Sequence, residues 1–249
     1  MEVCDSLSEG GTTPSFGTIV GAIEAASKSH TKVNVLIRPR AGDFCYTPRE
    51  VQAMVRDIAV ARLLGADGVV VGALTPTGAV DFIALRAFVR AAKEPLSESL
   101  LGTPSKTPLS PFSREDSKNQ TWPSLGLRSP AELPKVSVTF HRAFDVLRPE
   151  VDNGDIGKEV STSSASYAAV DVETLLSTLA NAGVDRLLTS GMAPSAWEGR
   201  HIIMRLQVKL MNDNGCHSFA KLAIRRALSL TSFVYFLSLK ALLLFLGLG

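Results

Sequence analysis

Residues 33–75 read VNVLIRPRAGDFCYTPREVQAMVRDIAVARLLGADGVVVGALT, and the fold class follows from how this stretch changes character along its length. Val33 to Ile37 is a short, β-branched apolar run closed by Arg38 and Pro39, which predicts a buried strand that the proline cannot extend. Thr47, Pro48 and Glu50 then supply an N-cap, a first-turn proline and a capping-box carboxylate, and Gly65 suits the left-handed stop after Leu64. A helix over Pro48 to Leu64 is predicted. Gly68 to Leu74 is again a compact apolar strand. A strand, a helix and a second strand joined by short links form the unit from which parallel sheets with outer helices are built.

The same rhythm continues on both sides. Asp81 caps a helix predicted to reach Lys93, Val136 to Phe144 makes a third strand, Asp171 to Ala182 a helix stopped by Gly183, and Arg186 to Ser190 a fourth strand. Upstream, SEGGTTPS from Ser8 to Ser15 is a polar turn leading into a helix that begins near Ser15. Its backbone N–H groups suit an anion, but a turn followed by an ordinary N-cap accounts for the same residues and is the commoner use. Two stretches break the pattern. Residues 94–134 are rich in proline and serine with little apolar periodicity, so they bury too little surface to offset their ordering entropy and read as a disordered insertion. Residues 150–168 read as a smaller one.

A chain of 249 residues permits a single α/β barrel. With 26 Lys and Arg against 24 Asp and Glu, the net charge of +2 offers no field to attract nucleic acid. Cys4, Cys45 and Cys216 are too few and too scattered for a disulfide framework, and nothing at the N-terminus reads as a cleavable signal, so a cytoplasmic protein is expected.

Strand side chains alternate between faces, which sorts the polar residues. Val33, Val35 and Ile37 take the parity of the helical layer, leaving Asn34, Leu36, Arg38 and Arg40 for the barrel axis. In the third strand Val138, Phe140 and Phe144 face the helices, while Thr139, His141 and Asp145 face the axis. Glu2 and Cys4 share a parity in the first residues and join this set, together with Ser190. These groups converge at the C-terminal strand ends, where barrel sites are built. Arg38 with His141 suits an anionic ligand, although an Arg38–Glu2 ion pair and a hydrogen-bonded core histidine are the plainer use of those residues. Cys4 is a candidate thiolate for a soft ion such as Cu(I), against the commoner role of a small buried packing group.

Five motifs, LSEGGTTPS from Leu7, IRPRAGDFCYT from Ile37, GADGVVVGALT from Gly65, TFHRAFD from Thr139 and RLLTSG from Arg186, resemble in order the motif series of CutC proteins. The resemblance implies a TIM-type barrel, copper(I) binding and a role in copper homeostasis. Residue by residue it points to Arg38, His141 and Asp145 as polar lining of the barrel mouth. The resemblance places the family's proposed copper cysteines in its first two strands, whereas MEVCDSLSEGG reads as a fusion of the two segments that retains only Cys4. After Arg205 the resemblance ends, without the family's glycine loop and last strand.

The expected fold is therefore an incomplete TIM-type (β/α) barrel over residues 1–207, interrupted by the two insertions and followed by a divergent apolar tail over 208–249. The expected function is CutC-type copper homeostasis with a bound copper(I) ion. Its alternatives are a barrel enzyme acting on a small anionic metabolite, and a non-functional or membrane-associated isoform. His141 is the candidate catalytic residue, Glu2, Arg38, Arg40, Asp145 and Ser190 the candidate ligand-binding residues, and Cys4 the candidate metal ligand. The expected partner is a copper ion or small anion, with a homo-oligomer left open. The apolar run 228–249, with Lys240 as its one charge, is expected to be a helix, packed on the barrel in preference to anchoring in a membrane.

Overall fold

In the computed structural model the described residues are 1–95, 133–148, 171–212, 221–225 and 234–235. The insertion expected at 94–134 lies outside them except at its ends, and that at 150–168 lies outside them entirely. Twelve strands and helices alternate along the chain until the last pair. They are β1 (Glu2–Val3), α1 (Phe16–Ser27), β2 (Asn34–Leu36), α2 (Pro48–Leu64), β3 (Gly68–Val71), α3 (Phe82–Lys93), β4 (Ser137–Phe140), α4 (Val172–Asn181), β5 (Arg186–Thr189), α5 (Arg200–Asn212), β6 (Lys221–Arg225) and β7 (Val234–Tyr235). The strands are ordered β1-β2-β3-β4-β5-β6-β7 in the sheet, the same as their order in the chain. Parallel strands in chain order with intervening helices are the TIM-type α/β arrangement expected.

The described residues form two compact units. The first comprises Met1–Ala41, Pro48–Val69 and Ala87–Ser137. Here β1 pairs with β2 in parallel, Glu2 opposite Asn34 and Val3 opposite Val35. Val33, Val35 and Ile37 are fully or almost fully buried, and so are Met54 and Ile58 of α2. Each such aliphatic side chain contributes about 1.5–3 kcal/mol. Gly65 ends α2 with φ 99°, as its position after Leu64 predicted. Among the described residues, Arg62 of α2 is the largest fully buried side chain. Its guanidinium donates to the carbonyls of Ala91 (2.5 Å), Glu94 (2.8 Å), Leu133 (3.2 Å) and Pro134 (3.1 Å). The first two acceptors lie in the last turn of α3 and just beyond it, where helix carbonyls lack intrahelical donors. Burial pushes the pKa of Arg62 down.

The second unit comprises Gly42–Thr47, Val70–Arg86 and Val138–Gly249. Strand β4 pairs in parallel with β5, Thr139 opposite Arg186 and Phe140 opposite Leu187, and β5 in turn with β6. Asp81 caps α3 by accepting from the Ile83 and Ala84 amides at 3.0 and 2.9 Å, and Asp171 caps α4 through the Glu173 and Thr174 amides. Phe140, Phe144, Leu176, Leu179, Leu187 and Leu206 are fully buried in its core.

Three features depart from the sequence reading. Strand β4 stops at Phe140 instead of running to Phe144, and residues Arg142–Val146 form a 3₁₀ turn. The cause is local: His141 takes the N-cap position, its ring accepting from the Ala143 amide and its carbonyl from the Phe144 amide, so strand alternation ends there. Helix α5 and strand β6 were not anticipated. Finally, Val234–Tyr235, the described residues of the apolar run 228–249, form a strand antiparallel to β6 instead of a helix. Among the described residues no helix is long and apolar enough to cross a membrane.

Candidate functional site

The first unit gathers its polar groups around Arg38. Met1–Cys4 lies beside β2, and the chain then doubles back, with Asp5 and Thr12 exchanging backbone hydrogen bonds at 3.0 and 2.9 Å. The turn between them needs left-handed backbone at Ser6, Gly10 and Gly11. Gly11 also lies so close to Leu36 that a Cβ there would meet its Cδ2 at 2.8 Å, with Cys4 Sγ at 3.6 Å. The half-buried Cys4 thiol is thus set against the glycine pair at the end of β1.

The buried Arg38 guanidinium is fixed by the same turn. Its Nη1 donates to the carbonyls of Glu9 (2.9 Å) and Gly11 (2.8 Å), and its backbone amide donates to Thr13 Oγ1 at 2.9 Å. The amides of Gly10, Gly11, Thr12 and Thr13 all donate to protein carbonyls, and Ser15 Oγ accepts from the Thr18 amide. The turn and N-cap therefore account for SEGGTTPS. Glu2 is half-buried in β1. Arg40 is ion-paired with Glu50 at 2.6 Å, so the expected capping-box carboxylate reaches across to β2's exit.

In the second unit, His141 and Asp145 organise two neighbouring stretches of chain. The His141 imidazole is buried and rests against Phe44, with ring centroids 4.9 Å apart. A Cβ on Gly72 would fall 2.5 Å from both Nδ1 and Cε1 of this ring. Gly72 follows β3, so the glycine of GVVVG is required by space and not by backbone conformation.

Asp145 is buried and its carboxylate is surrounded by donors. Oδ1 accepts from the Thr189 hydroxyl, the Ser190 amide (3.0 Å) and the Met192 amide (3.1 Å). Oδ2 meets the Ser190 amide (3.0 Å), Ser190 Oγ (3.0 Å) and Arg142 Nε (3.2 Å). Ser190 Oγ also lies 2.6 Å from the Ala193 carbonyl, so its single proton has two acceptors within reach. Gly191 and Met192 both have positive φ, and their loop curls around the carboxylate as a backbone nest around an anion. Gly191 and Gly199 pack backbone to backbone, since a Cβ on Gly191 would lie 2.2 Å from the Gly199 carbonyl.

Arg38, Glu2, Arg40 and Cys4 thus belong to the first unit, and His141, Asp145 and Ser190 to the second. Arg142, Thr189, Thr13 and Gly72 are site neighbours that the sequence reading did not single out. Thr189 shares the RLLTSG motif with Ser190, and Arg142 sits inside FHRAFD, so motif membership was the available signal. Cys45 donates its thiol to the Thr75 carbonyl at 3.2 Å. Among the described residues, no three His, Cys, Asp or Glu side chains converge as a metal site.

Fold and residues define an α/β protein of TIM type with polar groups at the exits of its strands. The model of the CutC family matches residues 1–100. A CutC family protein of Bacteroides fragilis is 34% identical over 207 residues, covering 83% of this chain and 57% of the relative. The human copper homeostasis protein cutC homolog is 34% identical over 206 residues, covering 83% and 51%. Among solved structures, CutC from Streptococcus agalactiae superposes with a TM-score of 0.56 at 25% identity, covering 85% of this chain and 72% of that one. Over most of its length the chain is thus similar to proteins of the CutC family. It spans a little over half the length of the curated relatives it matches, 57% for the Bacteroides protein.

Proposed function

We propose that this chain acts in copper homeostasis, as the name of its human relative states for that protein, and that it binds Cu(I) through Cys4. The observation that supports the reading is the placement of Cys4: a half-buried thiol at the end of β1, facing Gly11, in the part of the chain that matches the family model. Cu(I) is a soft ion that gains most from sulfur and tolerates few ligands, so a single thiolate with one further donor suits it better than it suits Zn(II). Anaerobic competition with a chromophoric Cu(I) chelator tests this. The parent chain and a Cys45→Ser control should hold one equivalent of Cu(I), and Cys4→Ser should bind at least ten-fold more weakly. Equal binding by Cys4→Ser would remove the assignment.

A second reading is supported by the buried side chain of His141. It follows directly on β4, which ends at Phe140, and it has the chemistry to meet an oxygen-rich anion. In this reading the chain binds a small phosphorylated or carboxylated metabolite, with His141 meeting a ligand oxygen. Thermal-shift titration with inorganic phosphate and citrate, against His141→Gln, tests it. A stabilisation that survives His141→Gln unchanged would count against this reading.

A further inference from the structure

The anion-binding reading leaves open what His141 presents to a ligand, and the packing around its ring decides this. The Ala143 amide donates to Nδ1 at 3.1 Å, a contact made inside the protein core. A backbone N–H has a proton to give and no lone pair to accept, so Nδ1 must be the unprotonated nitrogen of the ring. The neutral imidazole then carries its proton on Nε2. Turning the ring over would bring Cδ2, which cannot accept, to the Ala143 amide, and the Nδ1–Cε1 edge packs against Gly72, where a Cβ would lie 2.5 Å from both atoms. Phe44 covers the ring from another side. The 3₁₀ turn Arg142–Val146 holds the Ala143 amide in place, because the Phe144 amide closes the turn on the His141 carbonyl at 3.1 Å.

We infer that Gly72 and the Ala143 amide together hold His141 as the Nε2–H tautomer, making Gly72 a positioning residue and His141 a hydrogen-bond donor toward an acceptor oxygen. This deepens the anion-binding reading and rests on it for the identity of the ligand as a carboxylate or phosphate. Any oxygen that meets Nε2 meets it as an acceptor. His141 in this state is not a general base through either nitrogen, since Nδ1 is engaged by a backbone donor and Nε2 is already protonated. It also excludes Nδ1 as a metal ligand.

The tautomer is read without any ligand. Two-bond ¹⁵N–¹H correlation spectra of the full chain, labelled with ¹⁵N-histidine, resolve the two ring nitrogens of each of its four histidines. His141 is assigned by the signals missing from His141→Gln. The expected pattern at neutral pH is a protonated Nε2 and an unprotonated Nδ1. A protonated Nδ1, an imidazolium or an averaged pair of nitrogens overturns the inference. Gly72→Ala should displace the ring and change or average this pattern, whereas Gly21→Ala, where a Cβ meets nothing within 4 Å, should leave it intact. An unchanged His141 pattern in a folded Gly72→Ala chain overturns the positioning role. If Gly72→Ala does not fold, the spectrum of the parent decides the tautomer alone. Failure of phosphate or citrate to bind a chain with the expected tautomer would sink the anion reading and leave the ring state standing.

Discussion

Replacing Asp145 should loosen the loop after β5 by an amount that its hydrogen bonds allow one to estimate. Asp145→Ala removes the acceptor for two buried backbone donors, the Ser190 and Met192 amides. Each orphaned amide costs about 1–3 kcal/mol. The Thr189 hydroxyl, fully buried, loses its acceptor as well, while Ser190 Oγ keeps the Ala193 carbonyl at 2.6 Å. Arg142, whose side chain is 43% exposed, returns to water at little cost. Two terms work against the loss. The desolvation of a buried carboxylate disappears, and Met192, held at φ 58°, relaxes from a conformation that costs about 1 kcal/mol or more. The net destabilisation of Asp145→Ala should be about 3–5 kcal/mol, in the range for breaking one side of a buried charged network. Asp145→Asn keeps one acceptor oxygen but turns an NH₂ toward the donors on the other side, and should fall near half of that. Urea unfolding gives the two losses, and hydrogen exchange locates them, with Ser190 and Met192 amides losing protection of about a hundred-fold in the alanine variant. A loss under about 1 kcal/mol with those amides still protected would refute the carboxylate as the organiser of this loop.

Arg62→Met should destabilise the chain by about 2–4 kcal/mol, because the carbonyls it satisfies stay buried, offset in part by removing a desolvated charge; a lowered urea midpoint checks it. Asp57, half-buried on α2, has its carboxyl pKa raised by burial, so the folded chain holds that proton more tightly than the unfolded one. Stability from this group then falls as pH rises from the ordinary carboxylate value through the raised one. Asp57→Asn, which mimics the neutral form, should melt above the parent at pH about 7 and level with it at pH about 3. A gap that is the same at both values would contradict the burial effect. Gly191→Ala should fail to reach the parent's stability, since its Cβ would strike the Gly199 backbone at 2.2 Å; thermal melts against Gly21→Ala measure it.

What could be read from sequence was governed by local chemistry. Asp81 and Gly183 marked helix ends because caps and left-handed stops act within a turn, and α2 was placed from Pro48 to Leu64 on the same grounds. The alternation of Val33, Val35 and Ile37 located β2 because one face of a strand is uniformly apolar. The end of β4 was missed because apolar Phe144 continues the alternating pattern while the backbone has already turned at His141. Asp145 was recognised as a polar residue on the correct motif, yet its hydrogen-bond donors lie up to 47 residues away, beyond any local pattern. The buried role of Arg62 had no signal at all: a helix-forming cation on α2 is ordinarily solvated, and its acceptors lie 29 to 72 residues downstream. Gly72 stood in view at the end of an apolar run, but only the position of the imidazole explains why it has no side chain.

The guanidinium of Arg62 also fixes where the chain departs and returns. The carbonyl oxygens of Glu94 and Leu133 lie 2.8 and 3.2 Å from its two terminal nitrogens. Those nitrogens are about 2.3 Å apart in the planar group, so the oxygens are no more than about 8 Å from each other. Two or three residues bridge such a gap. The two ends are therefore held at a distance that a short link can span, and because closure entropy grows only with the logarithm of loop length, a longer link between the same ends differs little in cost. A fluorescent or affinity domain whose own termini are close together can be spliced in at the same place.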